Sequence, residues 1–219
     1  SQTGRITVWH KGGGVKRKLR KFSNASDKGA FITVGVFYDP NRNSFISLNF
    51  DIFKKSFEFS ITPFFTFVGN CSVSNNKLDE LNLGSRSSIS SIPAGAIVHN
   101  VGKNHKNIGL FGRSAGTFCQ IIQKGLKTAK IKLPSNKVIE VSKDYFATLG
   151  CVANLEHSSS IKSKAGFSIL KGKRPTTRGI AMNPVDHPHG GRTNGGRPCV
   201  TPWGKPTKGK PTSKKQKRY

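Results

Sequence analysis

Three runs in the first half of the chain alternate with a period of two. Ile32, Val34 and Val36 alternate with Thr33 and Gly35. Ile46, Leu48 and Phe50 alternate with Ser47 and Asn49, and Phe57, Phe59 and Ile61 with Glu58, Ser60 and Thr62. This pattern of β-branched and aromatic residues specifies half-buried antiparallel strands and excludes helices, whose apolar positions recur at three and four. Asp39-Pro40-Asn41-Arg42 supplies a turn between the first two runs. Ten of the fifteen Phe lie in residues 31–67. They read as core, with stacking of exposed Phe on RNA bases as the lesser alternative.

The second half continues in short strands. Residues 96–101, 118–123, 128–133 and 137–141 are candidates, with Pro134-Ser135-Asn136 as a hairpin signature. Residues 145–155 are mixed but strand-compatible. No long stretch holds a helical period with caps. The fold expected is mainly β, as two small barrels.

The ends of the chain cannot contribute to such a core. Residues 176–219 hold only Ile180, Val185 and Val200 from the Phe, Ile, Val and Leu set. Alone, this tail should be disordered; against a polyanion it becomes an extended arm. Charge follows the same division. Residues 31–92 are neutral, whereas 1–30, 93–175 and 176–219 carry net charges of +7, +11 and +9, for +27 overall. A free enzyme for small metabolites does not look like this; a polyanionic partner does. The expected organisation is a basic arm at 1–30, a barrel at 31–91, a second barrel at 92–175 and a basic Gly/Pro-rich tail at 176–219.

No apolar run is long enough to span a bilayer, and no secretory pattern opens the sequence. Cys71, Cys119, Cys151 and Cys199 form no CxxC pair. They read as reduced thiols.

Four segments carry chemistry. The first, around Arg5, His10, Lys11, Lys16, Arg17 and Arg20, encloses Gly12-Gly13-Gly14. Small residues beside cations suit close approach to phosphate, and a flexible basic linker is the equal alternative. In the second, Arg113 and Ser114 sit in Gly112-Arg113-Ser114-Ala115-Gly116-Thr117. A Ser nucleophile would require a GxSxG elbow, which is absent, so an Arg–phosphate contact is favoured. The third is a basic ladder with Gly and Pro breaks, through Lys164, Lys171, Lys173, Arg174 and Arg178. The fourth, residues 182–191, places Asn183, Asp186, His187 and His189 around Pro188. A metal site would need further ligands, and the other histidines are scattered. General acid–base chemistry is a second alternative. A stiff loop threaded through folded RNA is favoured. Beyond it, Arg192, Arg197, Trp203, Lys205 and Lys208 continue the basic series. Trp203, in an apolar-poor segment, suits packing against a base, a sugar or a barrel. Lys214, Lys215, Lys217 and Arg218 form a phosphate grip.

Residues 182–191 and 201–208 resemble large-subunit ribosomal protein two, the universal "L two" family. The resemblance runs in order through residues 4–7 and 10–17, Tyr38-Asp39-Pro40-Asn41-Arg42, Ile92-Pro93-Ala94-Gly95, Arg113-Ser114-Ala115-Gly116-Thr117, Ala147-Thr148-Leu149-Gly150 and residues 174–179. It implies an OB-like barrel, then an SH3-like barrel, with basic extensions buried in large-subunit rRNA. It also implies rRNA, neighbouring ribosomal proteins and the small-subunit interface as partners, in support of the peptidyl transferase region and subunit association. No enzymatic activity, metal, cofactor, membrane or small-molecule substrate is implied. The histidine segment, considered catalytic in the family, is carried over as structural. Further RNA contacts are implied at Arg42, Lys103 and Lys106. A free RNA chaperone and a metal-dependent hydrolase are the rival functions.

The chain departs from the family pattern at Val15, where His is usual. A Gly-Glu-Gly insertion is missing between Gly191 and Arg192, and residues 62–90 match poorly. The run from Arg192 to Lys208 resembles the mitochondrial branch, and the Lys-, Phe- and Asn-rich composition suits an A/T-rich genome. A mitochondrial location is expected, with plastid or bacterial origin as the alternative.

Overall fold

The computed structural model describes residues 2–4, 6, 8–22, 29–74, 82–103, 109–161, 163–192 and 197–209. The chain divides into two compact units. One comprises Arg17–Ser160 with the last two residues; the other joins Ser1–Lys16 to Ile161–Lys217.

The larger unit holds ten strands: β1 (Gly29–Phe37), β2 (Ile46–Asp51), β3 (Ser56–Ile61), β4 (Cys71–Ser74), β5 (Arg86–Ser88), β6 (Ile97–Gly102), β7 (Cys119–Lys124), β8 (Thr128–Lys132), β9 (Val138–Ser142) and β10 (Phe146–Leu149). Hydrogen bonding orders them β3-β2-β1-β4-β5-β10-β6-β7-β8-β9. All pairings are antiparallel except β4 with β5, which meet in parallel at Ser74 and Arg86. That contact joins the two halves of the sheet. The long period-two runs were foreseen, though β1 starts three residues before the run read at Ile32. The short, Ser-rich β4 and β5 were not, because they carry no alternation of apolar side chains.

The second half has a conventional core. Ile89, Ile92, Val98, Val101, Ile121 and Ile131 are fully buried there. Alternation along β7, β8 and β9 puts Ile121, Ala129, Ile131, Ile139 and Val141 inward, with Lys130, Lys132 and Glu140 outward.

In the first half the alternation is mixed. Ile46 and Ile61 are buried as expected, but Thr33, Ser47, Asp51 and Glu58 are buried too, while Val34, Val36 and Phe57 are exposed. Of the ten Phe read as core, only Phe31 is buried. Phe37, Phe45, Phe53, Phe57, Phe65 and Phe67 are exposed, and Phe50, Phe59 and Phe64 are half-buried. Several of the inward hydroxyls and amides satisfy one another, whereas Ser44 Oγ, Glu58 Oε2 and Thr62 Oγ1 are buried without a hydrogen-bond partner. Ser47 and Ser60 share a 2.9 Å hydrogen bond, Asn49 donates to Ser60 at 2.8 Å, and Thr33 donates to Asn49 at 3.3 Å. These polar groups line a cavity of about 60 Å³. A buried polar cluster is tolerable when paired in this way.

Among the described residues the smaller unit has no sheet. Its one α-helix among them, α1 (Ala165–Leu170), is too short for its period to be read from sequence. The N-terminal arm pairs with the segment after α1. Lys11 bridges Lys173 antiparallel, Arg174 N–H donates to His10 O at 2.7 Å, Gly12 N–H to Gly172 O at 3.1 Å and Val15 N–H to Leu170 O at 3.1 Å. A Cβ at Gly14 would lie 3.0 Å from the Gly172 backbone. Gly14 therefore admits the chain's own backbone, a close approach read from sequence as serving a ligand.

Candidate nucleic-acid interface

In the larger unit, cations gather around the turn between β1 and β2. Asp39, 1% exposed, accepts from Arg42 Nε at 3.1 Å and from Asn41 N–H at 2.9 Å, and lies 4.0 Å from Arg20 Nη1. The Arg42 guanidinium also stacks over the Phe22 ring at 3.8 Å. Arg113 is half-buried, with its Nε lacking a hydrogen-bond partner. Its pKa is lowered, first by burial and then by the charge of Arg42. Arg20 and Arg42 thus share one buried carboxylate, and Arg113 lies near enough to Arg42 for their charges to interact. Two uncompensated positive charges on oriented forks suit an anionic oxygen donor such as phosphate.

Asn154 Nδ2 donates to Asn43 O at 2.7 Å, tying this turn to the segment after β10. Ser114 is exposed, and its carbonyl accepts from Thr117 N–H and Oγ1. It closes a turn beside Arg113 instead of standing in a nucleophile elbow. Lys103 is exposed just after β6, while Lys106 lies outside the described residues. His99, on β6, is fully buried and donates from Nδ1 to Gly150 O at 2.9 Å; burial holds its pKa down to about 4. It is a neutral core residue. Cys119 is likewise buried, its thiol pushed up to about 11 by desolvation. All four cysteines are free thiols.

The smaller unit carries seventeen Lys and Arg residues against a single acid, Asp186. Lys11, Lys16, Lys164, Lys171, Lys173, Arg174 and Arg178 are exposed along the paired arm and the segment around α1, and Arg17 is exposed where the chain enters the larger unit. Residues 182–191 close on themselves. Asn183 O accepts from Asp186 and His187 N–H, His187 O accepts from Gly190 N–H, and Met182 O accepts from Gly191 N–H. His187 is 7% exposed, and its Nδ1 accepts from His189 N–H at 3.0 Å. A Cβ at Gly179 would meet the His187 ring at 2.6 Å, so this glycine makes room for the imidazole. His189 Nε2 lies 2.9 Å from Pro198 O and 3.2 Å from Val200 N–H. Arg197 Nη1 donates to Pro188 O at 2.7 Å and to Gly190 O at 3.3 Å.

His187, His189 and Arg197, foreseen as RNA contacts, are thus engaged with their own loop, which they stiffen. Asn183, Arg192, Lys205 and Lys208 are exposed around it. The tail, expected to be disordered alone, has a hydrogen-bonded course through residues 178–191 and 199–207. Local turns supply what an apolar core does not. Arg5, residues 193–196 and the terminal grip from Lys214 to Arg218 lie outside the described residues.

Trp203 is exposed, and its ring centroid is 6.1 Å from that of Trp9. Trp9 was missed in the sequence because the arm around it reads as a Gly-rich basic linker. An aromatic in such a linker was the available signal. Among the described residues no three His, Cys, Asp or Glu side chains gather as metal ligands, and no helix is long and apolar enough to cross a membrane.

The fold and the cation distribution define a mainly β protein whose basic arms and guanidinium cluster are built for a polyanion. Residues 1–69 match the model "Ribosomal Proteins L2, RNA binding N-terminal domain", and residues 82–210 match "Ribosomal Proteins L2, C-terminal domain". The chain belongs to this family, and the halves of its sheet correspond to the OB-like and SH3-like barrels. It is 41% identical to the large ribosomal subunit protein uL2m of Reclinomonas americana, over 99% of this chain and 80% of the relative. It is 43% identical to the large ribosomal subunit proteins uL2 of Brucella canis and Brucella abortus, over 97% of this chain and 78% of each relative.

Proposed function

We propose that the chain is a structural constituent of a large ribosomal subunit of the mitochondrial type, and that it binds rRNA without catalysing a reaction. The observation carrying this reading is the charge of the smaller unit, seventeen cations to one acid on a backbone held in extended and turn conformations. Such an element stabilises itself weakly and a polyanion strongly. Arg20, Arg42 and Arg113 supply a second phosphate contact from the barrel side. The four-part division at residues 30, 91 and 175 is proposed as the division of roles: arm, barrel, barrel, arm. Neighbouring ribosomal proteins and the small-subunit interface complete the proposed partners.

The test is sedimentation of a mitochondrial lysate through a sucrose gradient, with and without Mg²⁺ chelation, and detection of the chain by blotting. Travel with monosomes, and with large subunits after chelation, is the expected result. Retention near the top under both conditions overturns the assignment and favours a free RNA-binding protein. Binding of purified chain to large-subunit rRNA should also weaken with salt. Replacing Lys173 by Ala should reduce the slope of log K against log salt by about 0.7–0.9. An unchanged slope across Lys164, Lys173 and Arg174 variants would count against phosphate contacts at the arm.

A further inference from the structure

We propose that Trp9 and Trp203 together form a stacking platform for one unpaired nucleobase. This rests on the RNA-binding reading above and names a site within it. Each Trp is displayed at the tip of a turn. Val8 O accepts from Lys11 N–H, so Trp9 is a central residue of that turn. Thr201 O accepts from Gly204 N–H at 2.9 Å, which makes Pro202 and Trp203 the two central residues of the other. Proline at that position fixes φ and stiffens the turn. The turn is closed from behind by the bridge between Val200 and Pro206 and by Lys205 N–H donating to Thr201 Oγ1 at 3.1 Å.

The two rings meet at 6.1 Å with planes tilted by 35°, an ordinary aromatic-pair geometry. Yet they remain 55% and 69% exposed. Pairing therefore fixes the rings without burying them. Two large indoles left open in the same place mark a surface that awaits a flat partner. The surroundings say which kind. His10 and Lys11 follow Trp9; Lys205 and Lys208 follow Trp203; and the Lys11–Lys173 bridge brings Lys173 and Arg174 to the same arm. The single acid of this unit, Asp186, belongs to the closed loop at 182–191. An aromatic ligand bearing negative charge on its backbone meets both conditions: base on indole, phosphates on lysines. An apolar protein segment would leave the cations unanswered.

The chain contains only these two tryptophans, so its tryptophan emission, excited at the red edge where tyrosine does not absorb, reports on the platform alone. The full-length chain is titrated with unlabelled oligoadenylate and with an abasic oligomer of equal length and charge, while binding is measured separately by anisotropy of labelled oligomers. Saturable quenching by the base-bearing oligomer, and little by the abasic one, is expected. Trp9→Ala should weaken oligoadenylate binding on the order of ten-fold without altering the salt slope, since no charge is lost. Trp9→Phe should retain most of the affinity, which separates stacking from damage to the arm. Binding without quenching, or equal quenching by both oligomers, overturns the platform and leaves the RNA-binding reading intact. Failure of both oligomers to bind overturns the two together.

Discussion

The two halves of the sheet solve the same packing problem in opposite ways. From β6 to β10 the chain turns aliphatic side chains inward and lysines outward, and Ile121, Ile131 and Val141 have no exposure at all. From β1 to β4 it turns Thr33, Ser47, Asp51 and Glu58 inward beside only Phe31, Ile46 and Ile61, and leaves Val34, Val36 and Phe57 on the outside. Stability near β7 and β8 thus comes from area removed from water. Near β2 the buried Ile46 is joined by hydrogen bonds whose net worth is small because they replace bonds to water. The first half is a surface held in shape by a modest interior; the second is a core with a surface attached.

The largest expected effect belongs to the aliphatic half. Ile121→Ala should cost about 2–5 kcal/mol in urea denaturation, through lost burial and the cavity left behind. Equal costs for Ile121→Ala and for Ser47→Ala on β2 would break the contrast.

Acid should expose a second asymmetry. His99 has a folded pKa of about 4 against an ordinary value of 6.5, set mainly by burial and in smaller part by the charge of Arg86. Between these values the unfolded chain binds more protons than the folded one. The stability held above about pH 6.5 should therefore fall as pH drops through 4, by about 3 kcal/mol in total. Urea midpoints measured across that window should lose this dependence in His99→Asn.

Ser47→Ala should cost about 1 kcal/mol, since Ser60 keeps its bond from Asn49. Phe57→Ser should shift stability by no more than about 0.5 kcal/mol, because the ring is 63% exposed. A loss of several kcal/mol there, by the same denaturation, would place Phe57 in a core after all.

Strand positions in both halves were legible because period two survives in any β-sheet. Which face points inward was not, because alternation defines two faces without ranking them. The aliphatic rule holds for Ile131, Ile46 and Ile61 and fails for Phe57, which shares a strand face with the buried Ile61. The basic arms were legible from charge. Their internal pairing was not, since the contacts of Lys11 with Lys173 and of Gly14 with Gly172 span some 160 residues without an apolar signal. His187 shows the same limit: its residue type pointed to RNA, but its burial against Gly179 is a packing fact.

The outward wall on β1–β3 has a consequence for supply. β3 ends the strand order, so among the described residues its far edge carries no neighbouring strand, and Phe57 stands beside it. An open edge next to exposed aromatic surface is the usual starting point for copies to add to one another. That process rises steeply with concentration, whereas incorporation into a larger particle removes copies one at a time. An unincorporated excess of this chain is therefore expected to self-associate above a concentration set by its own surface.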